Sequence, residues 1–216
     1  MKNIFREPVS GLTHLFGAII SLVGMILIIR YECAIPNSSK LGLIAVIIFG
    51  LSLIFLYTAS SVYHLVKSSD KVISVLRKLD HSMIYVLIAG TYTPICLIAL
   101  EGTLRWVAFL TIWSLAIIGV SFKMVWFNCP RKLSTFFYVL MGWLAVFLIY
   151  PLSKTISING LMWLLLGGIL YTLGAVIYAV KWPRIKSEMF GFHEIFHLFV
   201  LGGSFCHYLM IFKYVL

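Results

Sequence analysis

The sequence predicts an all-α membrane fold: a bundle of seven transmembrane helices with a cytoplasmic N-terminus and an outside C-terminus. Three observations predict it. The 216 residues are 62% hydrophobic and 11% charged, with a mean hydropathy of +1.04. A water-soluble domain is nearer half apolar and a quarter charged, so lipid must cover the excess. Seven uncharged stretches of spanning length follow one another with short connections. Lysine and arginine then sort by side of the membrane.

The spans are read at about 9–29, 41–66, 81–100, 106–125, 133–153, 158–180 and 193–213, in one integral membrane domain covering 1–216. A span needs about 20 mostly apolar residues, and backbone polar groups in lipid must be satisfied within the segment, so each is a helix. The alternation of a membrane barrel is absent. Span 1 follows a short polar start and carries no small-residue cleavage signature, so it reads as a retained span. Glu7 sits at its foot, either paired with a nearby base or solvated. His14 lies one turn inside. Span 2 closes with Ser60 and His64. Span 3 opens at Asp80-His81 and reaches Pro94, a tolerated kink where neighbours re-satisfy the backbone. Span 4 holds no site candidate, and span 5 ends near Pro151. Gly167-Gly168 in span 6 and Gly202-Gly203 in span 7 suggest close helix approach. Span 7 opens on His193-Glu194-Ile195-Phe196-His197 and carries His207 about 15 Å deeper than His197 at helical rise.

With the N-terminus inside, the inner segments hold Lys2, Arg6, Lys67, Lys71, Arg77, Lys78, Lys123, Arg131, Lys132, Lys181, Arg184 and Lys186. The outer ones hold Arg30, Lys40, Arg105, Lys154 and Lys213. Twelve against five satisfies the positive-inside rule. The net charge of +10 is thereby explained without a nucleic-acid partner. Location is a multi-pass cell membrane protein. Four scattered cysteines, Cys33, Cys96, Cys129 and Cys206, form no CxxC pair and read mainly as small apolar filler.

Five of the six histidines, His14, His64, His81, His193 and His197, gather at one end of the spans. Ionisable groups inside a bilayer are costly and mark functional sites. Spans 2, 3 and 7 deliver His64, Asp80, His193 and His197 to the same depth. Residues four apart share a helix face, so His193 and His197 point one way, as do Ser60 and His64. Three neutral imidazoles with an open fourth position suit a catalytic zinc ion, and imidazole also suits iron, copper and nickel. Asp80 either ligates the metal or holds its water as general base, and Ser60 either bonds the reacting oxygen or orients a ligand. His-Glu-x-x-His also matches a zinc-protease signature with Glu194 as base, and Asp80 is the preferred base. His81 must point elsewhere if Asp80 faces the site.

Four segments now carry a resemblance. Glu-Pro-Val-Ser-Gly-Leu-Thr-His ends at His14, and Ser-Ser-Val-Tyr-His ends at His64. Asp-His-Ser-Met-Ile-Tyr from Asp80 runs on to Ala-Gly-Thr-Tyr-Thr-Pro at Pro94. Gly-Phe-His-Glu-Ile-Phe-His ends at His197. In order and over nearly the whole chain, these resemble the hemolysin III family, the bacterial branch of the progestin and adipoQ receptors, whose superfamily includes alkaline ceramidases. The resemblance implies seven helices, a cytoplasmic N-terminus and a zinc ion near the inner face. It implies His64, His193 and His197 as zinc ligands, Asp80 holding the zinc-bound water and Ser60 beside it.

The functional expectation is a zinc-dependent hydrolase of a lipid amide or ester, its partners the membrane lipids. The alternative is a non-enzymatic membrane regulator or sensor with structural zinc. In either case any cytolysis is indirect, since no amphipathic pore-former is present. A transporter fits less well, because paired broken helices are not seen. Oligomeric state and substrate are not set by the sequence.

Overall fold

The computed structural model describes residues 4–36, 39–126, 129–185, 187 and 190–216. Lys2 and Lys186 of the inner-charge set lie outside these residues. Seven helices are long and apolar enough to cross a membrane: α1 Pro8–Ala34, α2 Lys40–Leu65, α3 Asp70–Ala99, α4 Gly102–Val125, α5 Arg131–Leu152, α6 Ile158–Val180 and α7 Phe192–Val215. No strand occurs among the described residues.

Local chemistry sets the ends. Pro8 occupies the first turn of α1, where its missing N–H costs nothing. Ile35 turns extended before Pro36, as a residue preceding proline prefers. Ser39 caps α2 by accepting from the Gly42 N–H at 2.9 Å. Ser157 does the same for α6, and Lys181 closes α6 in the left-handed conformation. Pro94 lacks the N–H that α3 needs, and the helix continues as a π segment over Ile95–Ala99. A 3₁₀ stretch, Leu144–Leu148, precedes Pro151 in α5.

One boundary differs usefully from the sequence reading. The third helix starts at Asp70, not beside Asp80. Lys71, Arg77 and Lys78 interrupt the apolar run, so a hydropathy criterion sees only the later part. Asp80 is therefore about 15 Å from the helix start at helical rise, held within the bundle instead of at its rim.

Helix α3 is the most deeply buried span, with 72% of its apolar window covered, against 17% for α5. It packs on α2, α4 and α5, while α1 packs on α2 and α7, and α6 on α7. Glycines permit the closest approaches. A Cβ on Gly167 would lie 2.3 Å from His207, and one on Gly203 would lie 2.9 Å from the Tyr171 ring. Outward apolar side chains such as Ile117, Ile118 and Phe147 are exposed, as lipid-facing positions should be.

Candidate metal centre

Helices α2 and α7 bring His64, His193 and His197 together. One ring nitrogen of each lies within 4.8 Å of the others. His64 Nε2 and His193 Nε2 are 3.2 Å apart, and the His193 and His197 rings are 4.6 Å centre to centre. His64 and His197 are each 1% exposed. Three imidazoles with nitrogens aimed at one small volume, buried in a lipid-embedded bundle, form a donor set suited to a metal ion.

Helix α1 supplies the outer contacts. Glu7 bonds His64 Nδ1 through its carboxylate, and its own N–H donates to the His64 carbonyl at 2.9 Å. The hydrogen bond from His64 holds the Glu7 carboxyl below the usual carboxylate range. The Ser10 carbonyl accepts from His197 Nδ1 at 3.2 Å. With Nδ1 protonated in both rings, each Nε2 lone pair is left for a metal. The Ser10 hydroxyl donates to Glu194, whose other oxygen accepts from the Gly191 N–H at 2.8 Å and caps α7. One Glu194 oxygen thus ties α1 to the start of α7, while the other caps α7 itself.

Ser60 and Asp80 are both buried and both border the cavity that reaches His193 and His197. Ser60 lies one helical turn from His64 on the same face, and Asp80 is not among the donor trio. Glu7 and Ser10 escape a reading from spacing alone, since their partners are on other helices. The available signal is chemical: ligand histidines usually donate their second N–H to a carboxylate or carbonyl, and Glu7 stands at the foot of the neighbouring span.

His14 is 3% exposed. Its ring stacks on His197, centroids 3.6 Å apart at 11°, and meets Tyr57 edge-on at 5.0 Å. Neither ring nitrogen has a hydrogen-bond partner. His81 is not part of the trio, and its carbonyl accepts from the Tyr138 hydroxyl at 3.1 Å. Deeper along α7, Ser204 joins Tyr57 at 2.6 Å and Tyr171 at 2.7 Å. His207 donates from Nε2 to the Leu164 carbonyl at 3.1 Å.

His14, His81, Tyr171 and His207 border a cavity of about 500 Å³. Ser60, Asp80, His193 and His197 line one end. Thr91, Tyr92, Val146, Leu161, Met162 and Leu165 are among those that continue it between α3, α5 and α6. A space of this size, polar at one end and apolar beyond, suits a small amphipathic ligand.

A family model described as "Haemolysin-III related" matches residues 2–208. Hemolysin-3 of Bacillus cereus is 39% identical over 217 residues, covering 100% of this chain and 95% of that protein. The hemolysin-3 homolog of Bacillus subtilis (strain 168) is 39% identical over 204 residues, covering 94% and 92%. Monocyte to macrophage differentiation factor of Homo sapiens is 29% identical over 224 residues, covering 98% and 85%.

Proposed function

The chain belongs to the hemolysin III family, and from that premise we propose that it is a zinc-dependent hydrolase of a lipid amide or ester. The observation that carries the proposal is the joining of three clustered imidazoles, a buried aspartate and serine, and a largely apolar cavity at one end of a membrane bundle.

His64, His193 and His197 would hold the ion, with the His64 ring fixed by Glu7 and the His197 ring by the Ser10 carbonyl. A zinc ion there supplies a Lewis acid that polarises a carbonyl and lowers the pKa of water toward neutrality. Asp80 takes the proton from the attacking water and returns it to the leaving amine or alcohol. Ser60 keeps the Asp80 carboxylate pointed at that water. The acyl chain enters sideways between α5 and α6, where the lining residues Val146, Met162 and Leu165 are exposed. With the N-terminus cytoplasmic, the site lies near the inner face of the cell membrane. Any lysis is then indirect, through altered lipids.

The test is purified protein with measured zinc content, assayed on ceramide-like and phospholipid substrates beside an Asp80→Ala variant. Turnover lost in the variant with zinc retained supports the reading. Equal turnover in both removes Asp80 from the chemistry.

One observation favours a second reading, a non-enzymatic regulator with structural zinc. The trio and its outer contacts tie α1, α2 and α7 into one unit. Strong stabilisation by zinc with no lipid consumed would support it.

A further inference from the structure

Beyond the histidines, the same end of the cavity is basic. Arg77 of α3, Lys123 of α4 and Arg131 of α5 all line it, and Asp80 is the one acidic residue among the described lining residues. Basic residues near an inner membrane face are ordinarily solvated or meet headgroups. Lys67, Lys71 and Lys132 fit that pattern, being exposed. Lys123 does not, for it is 3% exposed.

Its ammonium donates to the Ser134 hydroxyl, and no carboxylate stands within ion-pairing distance among the described residues. A buried ammonium with one neutral partner lacks a counter-charge and has donors to spare. Beside Ser134, the hydroxyl of Thr135 is buried with no hydrogen-bond partner, and Thr135 also lines the cavity. Arg131 is held in place by its contact with the Tyr178 ring, 4.7 Å to the centroid. His81 also lines this cavity.

We propose that Lys123, Ser134, Thr135, Arg77 and Arg131 form a phosphate subsite, so that the cavity takes a phosphate-bearing lipid. The phosphate sits on the basic wall and supplies the charge that Lys123 lacks. The acyl chains occupy the apolar remainder. An ester carbonyl a few bonds from the phosphate then faces the histidine end. This deepens the hydrolase reading by naming a substrate class, and it rests on that reading only for the fate of the ester.

Binding, not turnover, is the test. Full-length protein in neutral detergent is titrated with dihexanoyl phosphatidic acid, with dihexanoylglycerol, which lacks only the phosphate, and with inorganic phosphate. The phosphatidic acid should bind more tightly than the diacylglycerol by about tenfold or more. Lys123→Met should abolish that preference, while Lys132→Met, at an exposed lysine outside the cavity, should keep it. Thr135→Val, a near-isosteric change, should weaken phosphatidic acid alone and provides the reading if Lys123→Met does not fold. Inorganic phosphate binding as tightly as the lipid assigns the subsite to free phosphate. Equal affinity for the two lipids, or equal loss in Lys123→Met and Lys132→Met, overturns the proposal. Asp80-dependent cleavage of a neutral lipid amide would survive that failure, so the two readings part cleanly.

Discussion

Glu7 and Ser10 do for the candidate metal centre what no ligand can do for itself. Each fixes the protonated nitrogen of an imidazole on another helix. Outer partners of metal-bound histidines typically change affinity by about 10–100-fold when removed. Glu7→Ala should therefore weaken zinc by about that factor, read by competition with a chromogenic chelator, while His193→Ala should lose the site outright. Unchanged affinity in Glu7→Ala would show that His64 needs no orienting partner. His14 makes a different prediction. Its two buried nitrogens have no partners, and an unpaired buried polar group costs about 1–3 kcal/mol. His14→Phe keeps a flat ring against His197 and removes both nitrogens. Its melting temperature should hold or rise. A clear fall would mean that the nitrogens bind something in the folded protein.

At the scale of elements, the site depends on how closely α1 reaches the end of α2. Gly11, one turn beyond Glu7, permits that reach. A Cβ there would lie 2.4 Å from Leu65 Cγ and 3.3 Å from its backbone nitrogen. Gly11→Ala should push the two helices apart and loosen the Glu7 contact, lowering zinc retention and cooperative melting together. A fall in stability with zinc retention intact would separate the packing from the site. This dependence also explains which parts of the centre can be read from sequence. His193 and His197 share a face by spacing within one helix, as do Ser60 and His64, so local periodicity exposes them. Glu7 and Ser10 act across helices, and their role depends on a glycine contact that no local period encodes. The start of α3 is hidden for another reason. Its first turns carry Lys71, Arg77 and Lys78, so hydropathy marks the buried length of the helix and misses its charged beginning. Lys123 reads as an ordinary inner-face charge until packing shows it enclosed.

For the whole molecule, the orientation of the bundle decides which compartment the site serves. The basic residues concentrate at the histidine end, and on the proposed orientation, which follows the positive-inside rule, that end faces the cytoplasm. Cys33 provides a direct measure. It lies at the far end of α1 from the site and is exposed, while Cys96, Cys129 and Cys206 are buried, and all four are free thiols. A membrane-impermeant maleimide applied to intact cells should therefore label the chain once, at Cys33, and Cys33→Ser should abolish the label. Labelling that appears only after permeabilisation would invert the bundle. The histidines and the basic wall of the cavity would then face outward, and a substrate drawn from the inner leaflet would be excluded by geometry alone.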